Sequence, residues 1–169
     1  MLSDTSIFSF HNVSDKINLG FNNISVNKFS RLIHYINKEK KTHKLEICFD
    51  DGYEEIIINA LPILNSCNIK TTVFPITHYM GKSNSWDVNF IINKKKHLNV
   101  DQLKELIEHS WKIGSHGHNH ISYKNLDHES IYKDLKESKV ILEDHLNVEI
   151  DTFTPPFGYF DFSFIPIIN

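Results

Sequence analysis

Apolar and polar residues along this chain follow two rhythms that take turns. Over residues 26–38, Phe29, Leu32, Ile33 and Ile36 recur at helical spacing, and Ser25 stands where an N-cap belongs. Residues 5–10 and 45–49 read as strands, and residues 70–75 as a β-branched strand closed by proline. A helix from about Glu54 to Cys67 separates the last two, and Pro62 bends or restarts it. Asn99, with Gln102 three residues on, predicts a capping box and a helix to about Trp111 whose stripe is Leu103, Leu106 and Ile107. Residues 112–115 form a short strand. Asp127 caps a long helix with a stripe of Ile131, Leu135, Ser138, Leu142 and Leu146. A strand near 150–154 and the turn at Pro155-Pro156-Phe157-Gly158 complete the pattern. Residues 77–98 carry no clear period and read as a long loop, of a kind that is often functional.

Strand and helix alternating in this way predict an α/β fold on a parallel sheet with crossover helices, open or closed into a barrel. A length of 169 residues suits one domain, with an N-terminal strand and helix in residues 1–42 and a motif-bearing core in residues 43–160. With 40% hydrophobic and 23% charged residues the chain is globular rather than disordered. A formal charge of -3 leaves no basic field for nucleic acid, and Lys94-Lys95-Lys96 reads as a solvated loop. Cys48 and Cys67 are too few for a disulfide framework; Cys48 reads as a small buried filler in its strand. No run approaches the ~20 apolar residues of a membrane helix. Residues 1–24 lack the basic start and apolar stretch of a signal peptide, so a cytoplasmic location is expected. Eleven histidines are the one compositional hint of metal chemistry.

Chemistry concentrates at the predicted strand ends, where α/β folds gather their sites. Cys48-Phe49-Asp50-Asp51-Gly52 ends one apolar run with adjacent carboxylates and a glycine. Ser115-His116-Gly117-His118-Asn119-His120 ends another. Asp51, His116 and His120 supply three ligands, as a catalytic zinc site requires, and a turn brings both imidazoles to one side. Asp50 is then placed to act as general base. Each cluster also has a plain reading, the first as an Asp-Gly turn and the second as a solvated loop. His116 and His118 offer a competing His-x-His pair; otherwise His118 supports the ligands or faces solvent. His11, His78 and His97 read as structural or surface residues, and Trp86 as packing or a sugar platform.

These residues resemble the polysaccharide deacetylases, the NodB-homology carbohydrate esterases of family 4. The family's Thr-Phe-Asp-Asp-Gly corresponds to Cys48-Phe49-Asp50-Asp51-Gly52, and its His-Ser/Thr-x-x-His to His116-Gly117-His118-Asn119-His120. Its Arg-x-Pro-Phe/Tyr-Gly corresponds to Thr154-Pro155-Pro156-Phe157-Gly158, and Ala60-Leu61-Pro62-Ile63-Leu64 is also typical. The resemblance spans roughly residues 43–160. It implies a distorted (β/α) barrel and metal-dependent removal of acetyl groups from a sugar or polysaccharide, with Asp50 as base. Asp51, His116 and His120 would hold a divalent metal, Zn2+ by default. The N–H of Phe157 would steady the oxyanion, and Pro156 and Trp86 would meet the carbohydrate. A non-catalytic metal- or carbohydrate-binding relative and an amide hydrolase of the same fold are the alternatives.

The sequence departs from the pattern in three places. Gly117 removes the hydroxyl that normally braces the histidine loop, and Thr154 replaces the arginine that pairs with the catalytic aspartate. The family's later motifs, with their general-acid histidine, have no counterpart after His145, which reads as an exposed helical residue. An incomplete or open barrel is therefore expected, with an exposed sheet edge that invites a homo-oligomer.

Overall fold

The computed structural model describes residues 5–16, 22–39, 44–85 and 94–161. Its centre is a four-stranded parallel sheet in the order β1 (Thr5–Phe10), β4 (Lys44–Asp51), β5 (Lys70–Pro75), β6 (Lys112–Ile113). A parallel bridge between Ser115 and Phe153 extends it beyond β6. The expected strand near 150–154 is reduced to that bridge, since Pro155 and Pro156 follow at once and cannot donate to a ladder. A small second sheet, β2 (Asn12–Val13) with β3 (Asn23–Ile24), was not legible from periodicity because each strand has only two residues. The fold is thus α/β with an open parallel sheet, and no closed barrel forms among the described residues.

The helices follow the predicted stripes. Helix α1 (Val26–Glu39) begins after Ser25, whose Oγ accepts from Lys28 N. The segment around Pro62 divides into α2 (Glu55–Asn59) and α3 (Leu61–Cys67), with the proline in the first turn of α3, where its missing N–H costs least. The capping box of Asn99 and Gln102 is present and starts α4 (Val100–Glu108), which stops short of Trp111. Asp127 caps α5 (His128–Leu146) by accepting from Ser130 N. Among the described residues, no helix is long and apolar enough to cross a membrane.

Along β4 the odd residues Leu45, Ile47 and Phe49 are buried, while Glu46, Cys48 and Asp50 are half-buried on the opposite face. The odd face joins one apolar core with Phe29, Ile33, Leu64, Leu103 and Leu142. Phe49 stacks on Trp111 at 5.6 Å. Cys48, expected as a buried filler, therefore lies on the more open face, and burial pushes its thiol pKa up. Lys95, expected to be solvated, is buried with its ammonium 4.8 Å from the centre of the Tyr53 ring; Lys94 and Lys96 are exposed.

The N-terminal segment is fastened to this core by one buried carboxylate. Glu55 accepts from Asn12 Nδ2 and Ser14 Oγ and pairs with Lys16 at 2.8 Å. Burial alone would raise its pKa, but Lys16, Asn12 and Ser14 together hold it below the ordinary glutamate value. A depressed folded-state pKa gives stability that is present above the unfolded value and lost as pH falls through the folded one. Glu55→Gln should therefore cost about 1–3 kcal/mol at pH 7. In thermal melts the gap between wild type and variant should close as the pH is lowered below about 4; a gap of constant size would contradict this account.

Candidate metal centre

Register brings the motifs together. Asp51 lies opposite Pro75, so β4 and β5 end level, while β6 ends two residues short of them, with Ile113 opposite Val73. Backbone bonds continue the ladder past the strands: Gly114 N donates to Val73 O, and His116 N to Pro75 O. On the other side Ser115 N donates to Thr152 O, and Thr154 N to Ser115 O. The aspartate, histidine and proline motifs thus share one edge at the carboxyl ends of the strands.

Asp51 ends β4 with φ 66°, in the left-handed region, and Gly52 follows at 67°. The carboxylate of Asp51 is buried, as the odd residues of β4 are, and Asp tolerates the left-handed conformation better than most residues. The carbonyl of Asp51 accepts from Nδ1 of the buried His97 at 2.8 Å, so His97 is structural, as expected of it, and specifically anchors the turn.

Asp51, His116 and His120 each offer a ligand atom, and these atoms lie within 4.8 Å of one another. Asp51 is 3% exposed and His116 is 4% exposed, while His120 is half-buried. Asp51 Oδ1 stands 3.5 Å from Nε2 of His116 and 3.3 Å from Nε2 of His120, longer than well-formed N–H···O bonds. His116 Nδ1 lies 2.9 Å from the carbonyl of Thr154. A carbonyl only accepts, so Nδ1 carries the hydrogen, and a neutral ring then turns the lone pair of Nε2 toward the carboxylate. Two lone pairs facing each other in a buried site require a positive charge between them. Without a metal, that charge is a proton. Burial alone would lower the His116 pKa, but Asp51, Asp50 and the Thr154 carbonyl hold it above the ordinary value. Burial likewise works against the Asp51 charge, yet both imidazoles hold its pKa far below the carboxylate range. A divalent cation meets the same demand with the donor set of a catalytic zinc site, two imidazoles and a carboxylate.

The competing His116–His118 pair does not form. His118 Nδ1 instead meets Thr77 Oγ1 at 2.8 Å, and its Nε2 lies 3.5 Å from Glu137. His78 is exposed with its ring 5.4 Å from that of His118. Asp50 is half-buried. Its Oδ2 accepts from Ser9 Oγ at 2.9 Å, while its Oδ1 is buried with no hydrogen-bond partner among the described residues. Phe157 has φ 59° and is 67% exposed, with its ring 4.8 Å from that of His120. Pro156 is buried beside it, and His145 is exposed on α5. Trp86 lies outside the described residues.

Sequence reasoning missed the residue that shapes the histidine loop. The α5 stripe includes Asp134 as a buried member, with Leu135 only half-buried. The Asp134 carboxylate accepts from His118 N at 2.9 Å, Asn119 N at 3.0 Å, Asn119 Nδ2 at 2.9 Å and Tyr123 OH at 2.8 Å. A side chain at Gly117 would put its Cβ 2.6 Å from Asp134 Oδ2 and 2.7 Å from Tyr123 OH. The missing hydroxyl at position 117 is therefore matched by a carboxylate that occupies its space.

A model of the polysaccharide deacetylase family matches residues 37–169. The poly-β-1,6-N-acetyl-D-glucosamine N-deacetylase of Staphylococcus aureus strain MSSA476 is 29% identical over 155 residues, which cover 84% of this chain and 51% of that protein. The chain spans about half or less of the curated relatives it matches, 37% to 51% of their length. Of the solved structures, IcaB from Ammonifex degensii superposes with a TM-score of 0.80 at 17% identity, over 98% of this chain and 79% of that one. The Streptococcus pyogenes deacetylase PplD in complex with acetate gives 0.78 at 17% identity, over 96% and 77%. Likeness at such identity speaks for the fold.

Gly117 holds φ +77° in the tightest part of the loop. Gly117→Ala should destabilise the protein by more than about 1 kcal/mol, because both the backbone region and the space disfavour a Cβ. A denaturant midpoint equal to wild type would show that the loop yields without cost.

Proposed function

Since the chain belongs to the polysaccharide deacetylase family, we propose that it is a metal-dependent hydrolase removing the acetyl group from N-acetylglucosamine units of a polysaccharide. The observation that carries this reading is the buried Asp51 oxygen faced by the Nε2 atoms of His116 and His120. The substrate class follows the relative in Staphylococcus aureus, whose name specifies poly-β-1,6-N-acetyl-D-glucosamine.

Asp51, His116 and His120 would hold the cation, Zn2+ by default. When bound, such an ion supplies Lewis acidity, which polarises a carbonyl and makes water a better nucleophile at neutral pH. Asp50 accepts the proton from the attacking water through Oδ1, the buried oxygen that Ser9 leaves free. Ser9 Oγ–H holds the other oxygen and so fixes the aim of the base, the task that Thr154 cannot perform in place of an arginine. The new C–O bond places negative charge on the former carbonyl oxygen, and the N–H of Phe157 is assigned to it as donor. Loss of the C–N bond, with the proton that Asp50 took from water passed on to nitrogen, yields acetate and the free amine. Pro156, Trp86 and the exposed ring of Phe157 are assigned to the sugar.

The two carboxylates should separate in mutagenesis. Asp50→Asn should lower acetate release from β-1,6-linked N-acetylglucosamine oligomers by roughly 10²–10⁴ while Zn2+ affinity by calorimetry stays near wild type. His116→Ala should lose both. Equal loss of metal in the two variants refutes the division of roles. Metal bound and sugar retained without acetate release in the wild type would instead identify a binding relative.

Ser9→Ala removes one hydrogen bond to the base. Worth about 1 kcal/mol, it should reduce kcat up to roughly tenfold with little change in KM, and Ser9→Thr should recover most of the loss. A kcat unaffected by Ser9→Ala would leave Asp50 oriented by something other than this hydroxyl.

A further inference from the structure

His116 and His120 are four residues apart, yet no helix sets their spacing. The loop between them is irregular, with positive φ at Gly117 and at His120. A helix would fix such a pair through main-chain bonds; here one side chain from another element takes over that work. The amides of His118 and Asn119 both donate to Asp134, and Gly117 N donates to Ser115 Oγ, which meets Ser138 Oγ at 2.7 Å. Asp134 and Ser138 are one turn apart on α5, so a single helix face receives two successive loop amides directly and holds the acceptor of a third, Ser115 Oγ. The carbonyls of the same peptides are tied on the other side: Thr77 N donates to Gly117 O, and His78 N to His118 O.

Asp134 is 3% exposed, and its carboxylate has no other purpose in the chemistry described above. A buried carboxylate and a row of buried amides each need the other, because either left alone would be costly. Tyr123 completes the set. Burial, and then the neighbouring Asp134 charge, push its phenol pKa well above the ordinary value, so it remains a donor across the working range. A metal is held at ~2.0–2.1 Å from imidazole nitrogen and requires ligands fixed within a few tenths of an ångström. Affinity is therefore sensitive to how firmly the loop between the two histidines is set before the ion arrives.

We propose that Asp134 is the positioning residue of the metal centre: by gripping the His118 and Asn119 amides with Tyr123, it presets the spacing and aim of His116 and His120 and thereby their affinity for a divalent cation. The inference rests on the metal-binding reading given above, and it identifies what replaces the loop hydroxyl that Gly117 lacks.

Calorimetric titration of the full chain with Zn2+, alongside thermal melts, tests it. Asp134→Asn presents an amide donor where the loop needs an acceptor and should weaken Zn2+ binding about 10–100-fold. Asp134→Glu, which keeps the carboxylate, should recover part of the affinity. Tyr123→Phe should weaken binding by a smaller factor, and it decides the matter if Asp134→Asn does not fold. Leu142→Val, on the same helix in the apolar core, should lower the melting temperature but leave Zn2+ affinity unchanged. The proposal is overturned if Asp134→Asn, or in its place Tyr123→Phe, binds Zn2+ as wild type does. It is equally overturned if Leu142→Val loses affinity in step with stability. Failure of wild type to bind Zn2+ removes the metal reading and this proposal together, whereas wild-type binding retained in Asp134→Asn removes this proposal alone.

Discussion

One oxygen of Asp51 is buried between two imidazole nitrogens that stand too far off for good hydrogen bonds. That arrangement is stable only with positive charge at its centre, and much of the surrounding structure serves to keep it. The Thr154 carbonyl commits His116 to presenting Nε2 inward. His97 fixes the peptide that turns Asp51 toward the histidines. Without these second contacts either ring or carboxylate could rotate to water and abandon the centre, since each has ordinary alternatives in solvent. The site is thus less a property of three ligands than of the carbonyls and amides that leave them no other orientation.

The parallel sheet supplies the frame. The ends of β4 and β5 lie level because register aligns Asp51 with Pro75, and backbone bonds carry the ladder on past β6, where Ile113 lies opposite Val73. Pro75 is pivotal, for its carbonyl receives His116 N and so sets the start of the histidine loop against the end of β5. Three residues around the centre, Asp51, His120 and Phe157, adopt left-handed backbone without being glycine. Each such residue costs on the order of 1–3 kcal/mol, and the cost falls where a strand or loop must break its course to aim a side chain. Ser110 and Asn147, by contrast, hold positive φ just beyond the ends of α4 and α5, where that conformation is the usual way to stop a helix.

Helices with clean apolar stripes and the cluster of Asp51, His116 and His120 were legible in the sequence, because burial writes a period and groups able to hold a metal come from few residue types. The supporting residues were not. Asp134 falls on the buried stripe of α5 by spacing, but a charge there reads as an interruption of the stripe, and only the loop packed against it gives the carboxylate its meaning. Lys95 belongs to a run that reads as solvated, yet its stem is covered and its ammonium lies over Tyr53. Ser9 is one of two serines in an edge strand, and nothing in its neighbours indicates that β1 lies beside β4 in the register that pairs it with Cys48 and brings its hydroxyl to Asp50. In each case the decisive fact is a contact between segments remote in sequence, which local pattern cannot encode. The strand expected near 150–154 failed for the opposite reason. Its local propensity was sound, but the prolines after it, and the site's need for the Thr154 carbonyl, left room for a single bridge.

The adjacent aspartates show how a short turn gives two like residues different surroundings. In a regular strand Asp50 and Asp51 would point to opposite faces. The left-handed turn at Asp51 brings both to the same end of the sheet, where two bare carboxylates side by side would repel. The repulsion is manageable because their surroundings differ in kind. Asp51 is enclosed by imidazoles and is matched by whatever positive charge they share, so its orientation is fixed. Asp50 keeps one oxygen on a neutral hydroxyl and the other without a partner among the described residues. Positive charge shared with Asp51 therefore also lessens the repulsion between the two neighbouring carboxylates at this end of the sheet.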